Sequence, residues 1–226
     1  MTAVNDASHE DLDAGDAPEP HWPIVLTMLA LGGLYMALPE SLLLGPRGLQ
    51  LAFVCVMLIP SLFALRIGHH EAHRRMGFLT LGILTLSMVV SLVRLVHALP
   101  MHTETPMQLL RSAVALWTSN VLVFAQWYWR LDAGGPFERG RTLGHKDGAF
   151  LFPQMTMSED ARRLAGEENW APTFVDYLFL AFNTSTAFSP TDTLVLTRWS
   201  KVLMMIQSLI SLAVIVLLAG RVVNIF

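Results

Sequence analysis

The sequence predicts an all-α integral membrane protein, with about five transmembrane helices plus a short re-entrant helix and loop. Three observations carry that expectation. Of 226 residues, 53% are hydrophobic and only 15% charged, against about 25% charged in soluble domains. The apolar residues gather into long uninterrupted runs. One further apolar run is too short to span a bilayer and leads straight into a stretch rich in hydroxyls.

A bilayer core takes about 20 apolar residues of helix. Segments 22–38, 49–65 (interrupted only by Pro60), 76–99, 109–129 and 202–225 are the five runs of that kind. They divide the chain into an acidic tail (1–21), a four-span helical bundle (22–130), a polar loop (131–172) and a C-terminal part (173–226). The tail holds Asp6, Glu10, Asp11, Asp13, Asp16 and Glu19 and neither Lys nor Arg. A secretory signal needs a basic start and an early apolar core, so this segment reads as a disordered tail. Trp127, Tyr128 and Trp129, followed by Arg130, read as an interfacial belt, and Trp22 and Trp199 mark other interfaces.

Several chemistries are disfavoured. The single cysteine, Cys55, can form no intrachain disulfide and no cysteine metal motif. A net charge of −3, without a basic patch interleaved with aromatics, argues against nucleic acid. Ser189 lies outside a Gly-x-Ser-x-Gly elbow, and no phosphate loop or dinucleotide fingerprint occurs. "GHHEAHRR" at 68–75 is one residue short of the His-Glu-x-x-His zinc motif, although His69 and His73 are four residues apart. The expectation is therefore a protein without catalytic residues, cofactor or metal.

Polar residues inside apolar runs are the next candidates. Thr80, Ser87, Ser91 and Arg94 fall on one helical face, with His97 nearby; Glu40 and Asp132 are candidate partners for Arg94. Intramembrane charge is expensive and often functional, while a guanidinium near a helix end can snorkel to the surface. Asn120, Gln126, Gln207, Ser208 and Ser211 have the chemistry that holds helices together. Gln207 and Ser211 share a face that equally suits a pathway.

The short run, 175–182, precedes "NTSTAFSPTDT" at 183–193, where six of the ten residues from 184 to 193 carry a hydroxyl. Non-helical backbone is tolerated in hydrocarbon only where protein or water covers it, so a short helix, a polar stretch and a full span together suggest a re-entrant loop. The alternative is a turn in which Thr191 or Asp192 caps the last helix.

From "VDYLFLAFNTSTAFSPTD" through the last apolar run, the chain resembles the pore-helix, filter and inner-helix module of potassium channels, over about 50 residues. The resemblance places Thr184, Ser185 and Thr186 at the end of the pore-like helix and Ala187, Phe188, Ser189, Pro190 and Thr191 in the filter. Asp192 falls on the acid after the filter, and Gln207 and Ser211 on the inner-helix lining. The filter departs from the family's Thr-Val-Gly-Tyr-Gly: it has no glycine to aim backbone carbonyls, and Pro190 fixes its own φ and restricts Ser189. A potassium-selective filter is not expected. The chain also resembles a group of uncharacterised bacterial inner-membrane proteins through "NVLVFAQWYWRLDAGGP", "FLFPQM" and "TAFSPTDT", which implies location only.

Together these imply a multi-pass bacterial inner-membrane protein, ion-channel-like, assembling as a homo-oligomer with a tetramer favoured, its partners the lipid bilayer and permeating ions. A non-conducting scaffold or sensor, or a small anion transporter using Arg94, is the alternative. Arg66, Arg74 and Arg75 between the second and third runs favour a cytoplasmic N-terminus; the channel resemblance implies the opposite placement of the pore loop.

Overall fold

The computed structural model describes residues 22–101, 105–139, 148–168, 170–187 and 192–222. The tail 1–21 and the filter-like residues Phe188, Ser189, Pro190 and Thr191 lie outside them. The structure is 80% helical, as expected, and the strand content among the described residues is one two-residue antiparallel pair.

The first helix, α1 (Trp22–Tyr35), is followed by a 3₁₀ turn (Glu40–Leu42), then α2 (Leu49–Arg66), α3 (His70–Met101) and α4 (Pro106–Leu131). Each begins where the sequence supplies a start or a break. Thr105 and Gln108 form a reciprocal capping box on α4, with Pro106 at the first helical position, where its missing N–H is no loss. Pro60 interrupts the hydrogen-bond ladder inside α2 without ending it. α1 and α2 meet at Gly32: a Cβ there would lie 3.0 Å from the Leu51 Cα, so only glycine allows this approach.

Among the described residues three helices are long and apolar enough to cross a membrane: α2, α3 over His70–Ala98, and the last helix, α9 (Arg198–Val222), over Arg198–Gly220. The five-run expectation holds to that extent. α1 has 14 residues, a rise of about 21 Å, and so falls short of a full crossing by itself. α4 is long enough but carries Ser112, Ser119, Asn120 and Gln126 in its middle, all fully buried. It is the central helix, packed against α1 and α3 on one side and, on the other, against α9 and the short helix α8 (Phe174–Thr186).

α3 shows how the bundle partitions. Leu81, Leu84, Met88 and Leu95 point inward, while Leu79, Leu86 and Val93 form an exposed apolar stripe at helical spacing. α2 (Val56, Ile59, Phe63) and α9 (Val202, Met205, Leu209, Val216) carry similar stripes. Leaving one such side chain in water costs about 1.5–3 kcal/mol, so these continuous faces require lipid or another protein surface.

The segment expected as a polar loop is structured in part. It holds a 3₁₀ turn (Asp132–Gly134), α5 (Pro136–Arg139), β1 (Phe150–Leu151), α6 (Pro153–Thr156) and α7 (Glu159–Ala165). β1 pairs with β2 (Leu194–Val195), Phe150 opposite Val195 and Leu151 opposite Leu194, and Leu196 N–H donates to the Ala149 carbonyl at 2.8 Å.

Gly32→Val forces α1 and α2 apart. The expected loss is about 1–3 kcal/mol, measured as reduced resistance to denaturant in detergent; an unchanged transition would contradict the close contact.

Candidate functional site

The candidate site is the C-terminal module and what holds it. α8 starts at a capping box in which Thr173 N–H and Oγ1 donate to the Asp176 carboxylate at 2.7 and 2.9 Å. Its first turn packs Phe174 edge-on against Trp129 at the end of α4. Its far end reaches the middle of α9 at Ser185. The chain then comes back: β2 lies on β1, and Trp199 at the start of α9 packs edge-on against Phe150, which also touches Tyr128 and Tyr177. Phe174, β2 and Trp199 thus all lie at the end of the bundle where α4 stops.

Among the described residues of the quoted stretch, the hydroxyls of Thr184, Ser185 and Thr186 are engaged. Thr184 is buried and donates to the Leu180 carbonyl at 2.8 Å; Thr186 is exposed and donates to the Phe182 carbonyl at 2.9 Å. Back-bonding of this kind satisfies a hydroxyl inside a helix. Ser185 is buried and accepts from Gln207 Nε2 at 2.8 Å. Ala187 is the exposed C-cap of α8, its N–H donating to the Asn183 carbonyl. Asp192 is exposed beside β2. The cap of α9 is neither Thr191 nor Asp192: the helix begins later, and Thr197 Oγ1 accepts from Ser200 N–H at 3.4 Å.

Gln207 is the centre of the module. Its Nε2 donates to the Ala181 carbonyl (2.7 Å) and Ser185 Oγ, its Oε1 accepts from the Tyr128 hydroxyl, and its backbone carbonyl accepts from Asn120 Nδ2 (3.1 Å). Asn120 Nδ2 also donates to Ser211 Oγ at 2.8 Å, and Ser208 Oγ donates to the Thr184 carbonyl at 3.4 Å. Gln207 and Ser211, expected on a pathway wall, are fully buried between α4, α8 and α9 within one copy. Here their chemistry joins helices. Gln126 does the same for α1, donating to the Ile24 carbonyl at 3.2 Å.

A second junction lies at the end of the bundle where α4 stops. Asp132, fully buried, accepts from Ala149 N–H (2.5 Å) on Oδ1 and from the Tyr177 hydroxyl (2.7 Å) on Oδ2. Arg139 donates to the Trp129 (2.7 Å) and Asp132 (3.0 Å) carbonyls, and its guanidinium lies 5.0 Å from the Tyr177 ring centre. Ala133 adopts left-handed angles, φ 48° and ψ 38°, to make the turn. Asp132 is therefore not the partner of Arg94, nor is Glu40: Arg94 donates to the Leu43 carbonyl while Ser91 Oγ donates to that of Leu42 at 2.8 Å. Arg94 and His97 both lie exposed near the end of α3. Trp129 and Tyr128, read as a lipid-interface belt, are core residues, 1% and 0% exposed; Trp22 is exposed as expected.

His73 Nδ1 lies 3.0 Å from Ser61 Oγ and 2.9 Å from its carbonyl, and the His70 ring stacks on Phe137. Among the described residues no group of three His, Cys, Asp or Glu side chains could hold a metal ion. Sequence reasoning passed over Tyr128, Tyr177, Arg130 and Arg139 as site residues. The signal present was the charge immediately following a Trp-Tyr-Trp triplet. Compared with protein-family models, with curated proteins and with solved structures, the chain matches none.

Gln207→Leu leaves the Tyr128 hydroxyl and the Ser185 hydroxyl without this partner, so it should destabilise by about 1–3 kcal/mol. Ser211→Ala should cost less, about 1 kcal/mol. Denaturant titrations would compare them, and equal or negligible losses would contradict the network. Ala133→Gly should stabilise, by up to about 1 kcal/mol, because glycine adopts left-handed angles freely.

Proposed function

We propose that this chain is a pore-loop-type membrane protein of the bacterial inner membrane, in which α1 and α4 cross together with α2, α3 and α9 while segment 174–197 dips in and returns without crossing. The observation that carries the reading is that both ends of that segment lie at one end of the bundle, Phe174 on Trp129 and β2 on β1. This is the arrangement that the resemblance to the potassium-channel module implies. One copy of such a module cannot close a ring, so conduction requires a homo-oligomer, a tetramer by that resemblance. α8 offers an exposed apolar face (Val175, Phe179, Phe182) for a neighbouring copy or lipid. In that assembly Thr186 and Asp192, the exposed polar residues among those described in the stretch, face the pathway together with the filter-like residues 187–191. Gln207 and Ser211 are the internal supports behind it.

Orientation follows from one end. The turn with Arg66, Arg74 and Arg75 lies at the same end as the entry of 174–197, because the end of α2 and the start of α3 meet the end of α4 there. The positive-inside rule then puts the entry in the cytoplasm, inverted relative to potassium channels.

A second reading, a non-conducting scaffold or sensor, is favoured by the inward closure of Ser185, Gln207 and Ser211. Transport of an anion on Arg94 has less support, since that guanidinium is engaged by the Leu43 carbonyl.

Ion flux from liposomes separates the first two. The channel reading expects cation flux that falls at least about tenfold with Thr186→Trp, a barrier increase of roughly 1.4 kcal/mol, in protein that cross-links as an oligomer. Well-folded protein that passes no common cation or anion would leave the scaffold reading.

A further inference from the structure

The basic end of the bundle contains a cavity of about 20 Å³ between α1, α2, α3 and α4, lined among others by Ser61, His73, Gly77, Thr80 and Arg130. Room of about 10–15 Å³ already holds one water, so the space fits a water or a single small ion. Arg130 is the unusual wall. Its side chain is 7% exposed. Among the described residues no carboxylate pairs with it and its Nε has no hydrogen-bond partner. The Trp129 ring, centred 5.6 Å from Cζ, lies against it. A buried charge is ordinarily paired, since desolvation is otherwise uncompensated.

The surroundings are shaped around this guanidinium. Gly77 gives it room: a Cβ there would stand 2.6 Å from the Arg130 Cζ, a distance no real contact allows. Opposite, the Ser61 hydroxyl and the His73 ring face each other at 3.0 Å. The Thr80 hydroxyl donates back to the Met76 carbonyl, so it offers the cavity no hydrogen. Arg66, Arg74 and Arg75 stand exposed at the same end, with Glu71 3.8 Å from both Arg74 and Arg75. Cations therefore predominate around the opening, and a cation has no reason to enter.

We propose that the Arg130 cavity is a binding site for one small inorganic anion of halide size, held by the guanidinium. It is separate from the 174–197 segment and does not depend on the channel reading.

The test uses full-length protein in phosphatidylcholine nanodiscs at an ionic strength fixed with sodium gluconate. Sodium chloride is titrated against the unfolding temperature, and sodium iodide against tryptophan fluorescence, since Trp129 adjoins the site. The expected result is a saturable chloride stabilisation and a saturable iodide quench that chloride relieves, both at least tenfold weaker in Arg130→Gln. Gly77→Ala, which pushes a methyl into the guanidinium, should weaken them as well and serves if Arg130→Gln does not fold. Absence of any saturable halide effect, or the same effect in wild type and Gly77→Ala, would overturn the proposal. So would stabilisation by added phosphatidylglycerol in gluconate with none from chloride, because the anion would then be a lipid headgroup phosphate.

Discussion

Gln207 holds the C-terminal half together. A primary carboxamide has two N–H donors and an acceptor oxygen, and in an apolar interior each group left unmade costs about 1–3 kcal/mol. At Gln207 they are met by α8 through Ala181 and Ser185 and by α4 through Tyr128, while the backbone carbonyl receives Asn120. Three helices are therefore fixed in register by one side chain. Apolar packing alone would leave α8 free to slide, because hydrocarbon contacts are non-directional. The hydroxyls beside the last apolar run follow from the same constraint: Ser185 is a ligand of that amide, and Thr184 closes on its own helix.

Asp132 plays the matching part at the end of the bundle. Its carboxylate ties the end of α4 to Ala149 and to Tyr177. Phe150, held next to Ala149, touches Tyr128, Tyr177 and Trp199. The stretches 120–136 and 150–155, which the sequence sets far from 177 and 199, thus meet at one aromatic and hydrogen-bonded junction. With Gln207 below and Asp132 above, α8 is anchored at both ends.

The helices were readable because apolar runs of that length have few other folds: the runs at 49–65, 76–99 and 109–129 each became a helix extending slightly past them. Periodicity also separates the inward Leu81, Leu84, Met88 and Leu95 from the outward Leu79, Leu86 and Val93. What composition could not supply was direction. Gln207 and Ser211 have the spacing of a pathway wall and of a helix seam alike, and only tertiary packing turns them toward α4 and α8. Tyr128 and Trp129 likewise have the chemistry of a membrane interface, yet Phe150 and Phe174 pack against them and they become core. The cap of α9 moved to Thr197 because the pairing of β2 with β1 holds the backbone extended through Val195. Arg94 found a backbone carbonyl, that of Leu43, instead of an acid, a partner type that carries no sequence signature.

In the proposed topology, segment 174–197 enters and leaves at the end of the bundle bearing Arg75. Single cysteines at Arg75, Asp192 and Arg47, in a Cys55→Ser background, probed with a membrane-impermeant maleimide on sealed vesicles of known orientation, test it most directly. Asp192→Cys should label from the same face as Arg75→Cys, and Arg47→Cys from the opposite face. Labelling of Asp192→Cys together with Arg47→Cys would mean that the segment crosses the membrane, and the account would fail.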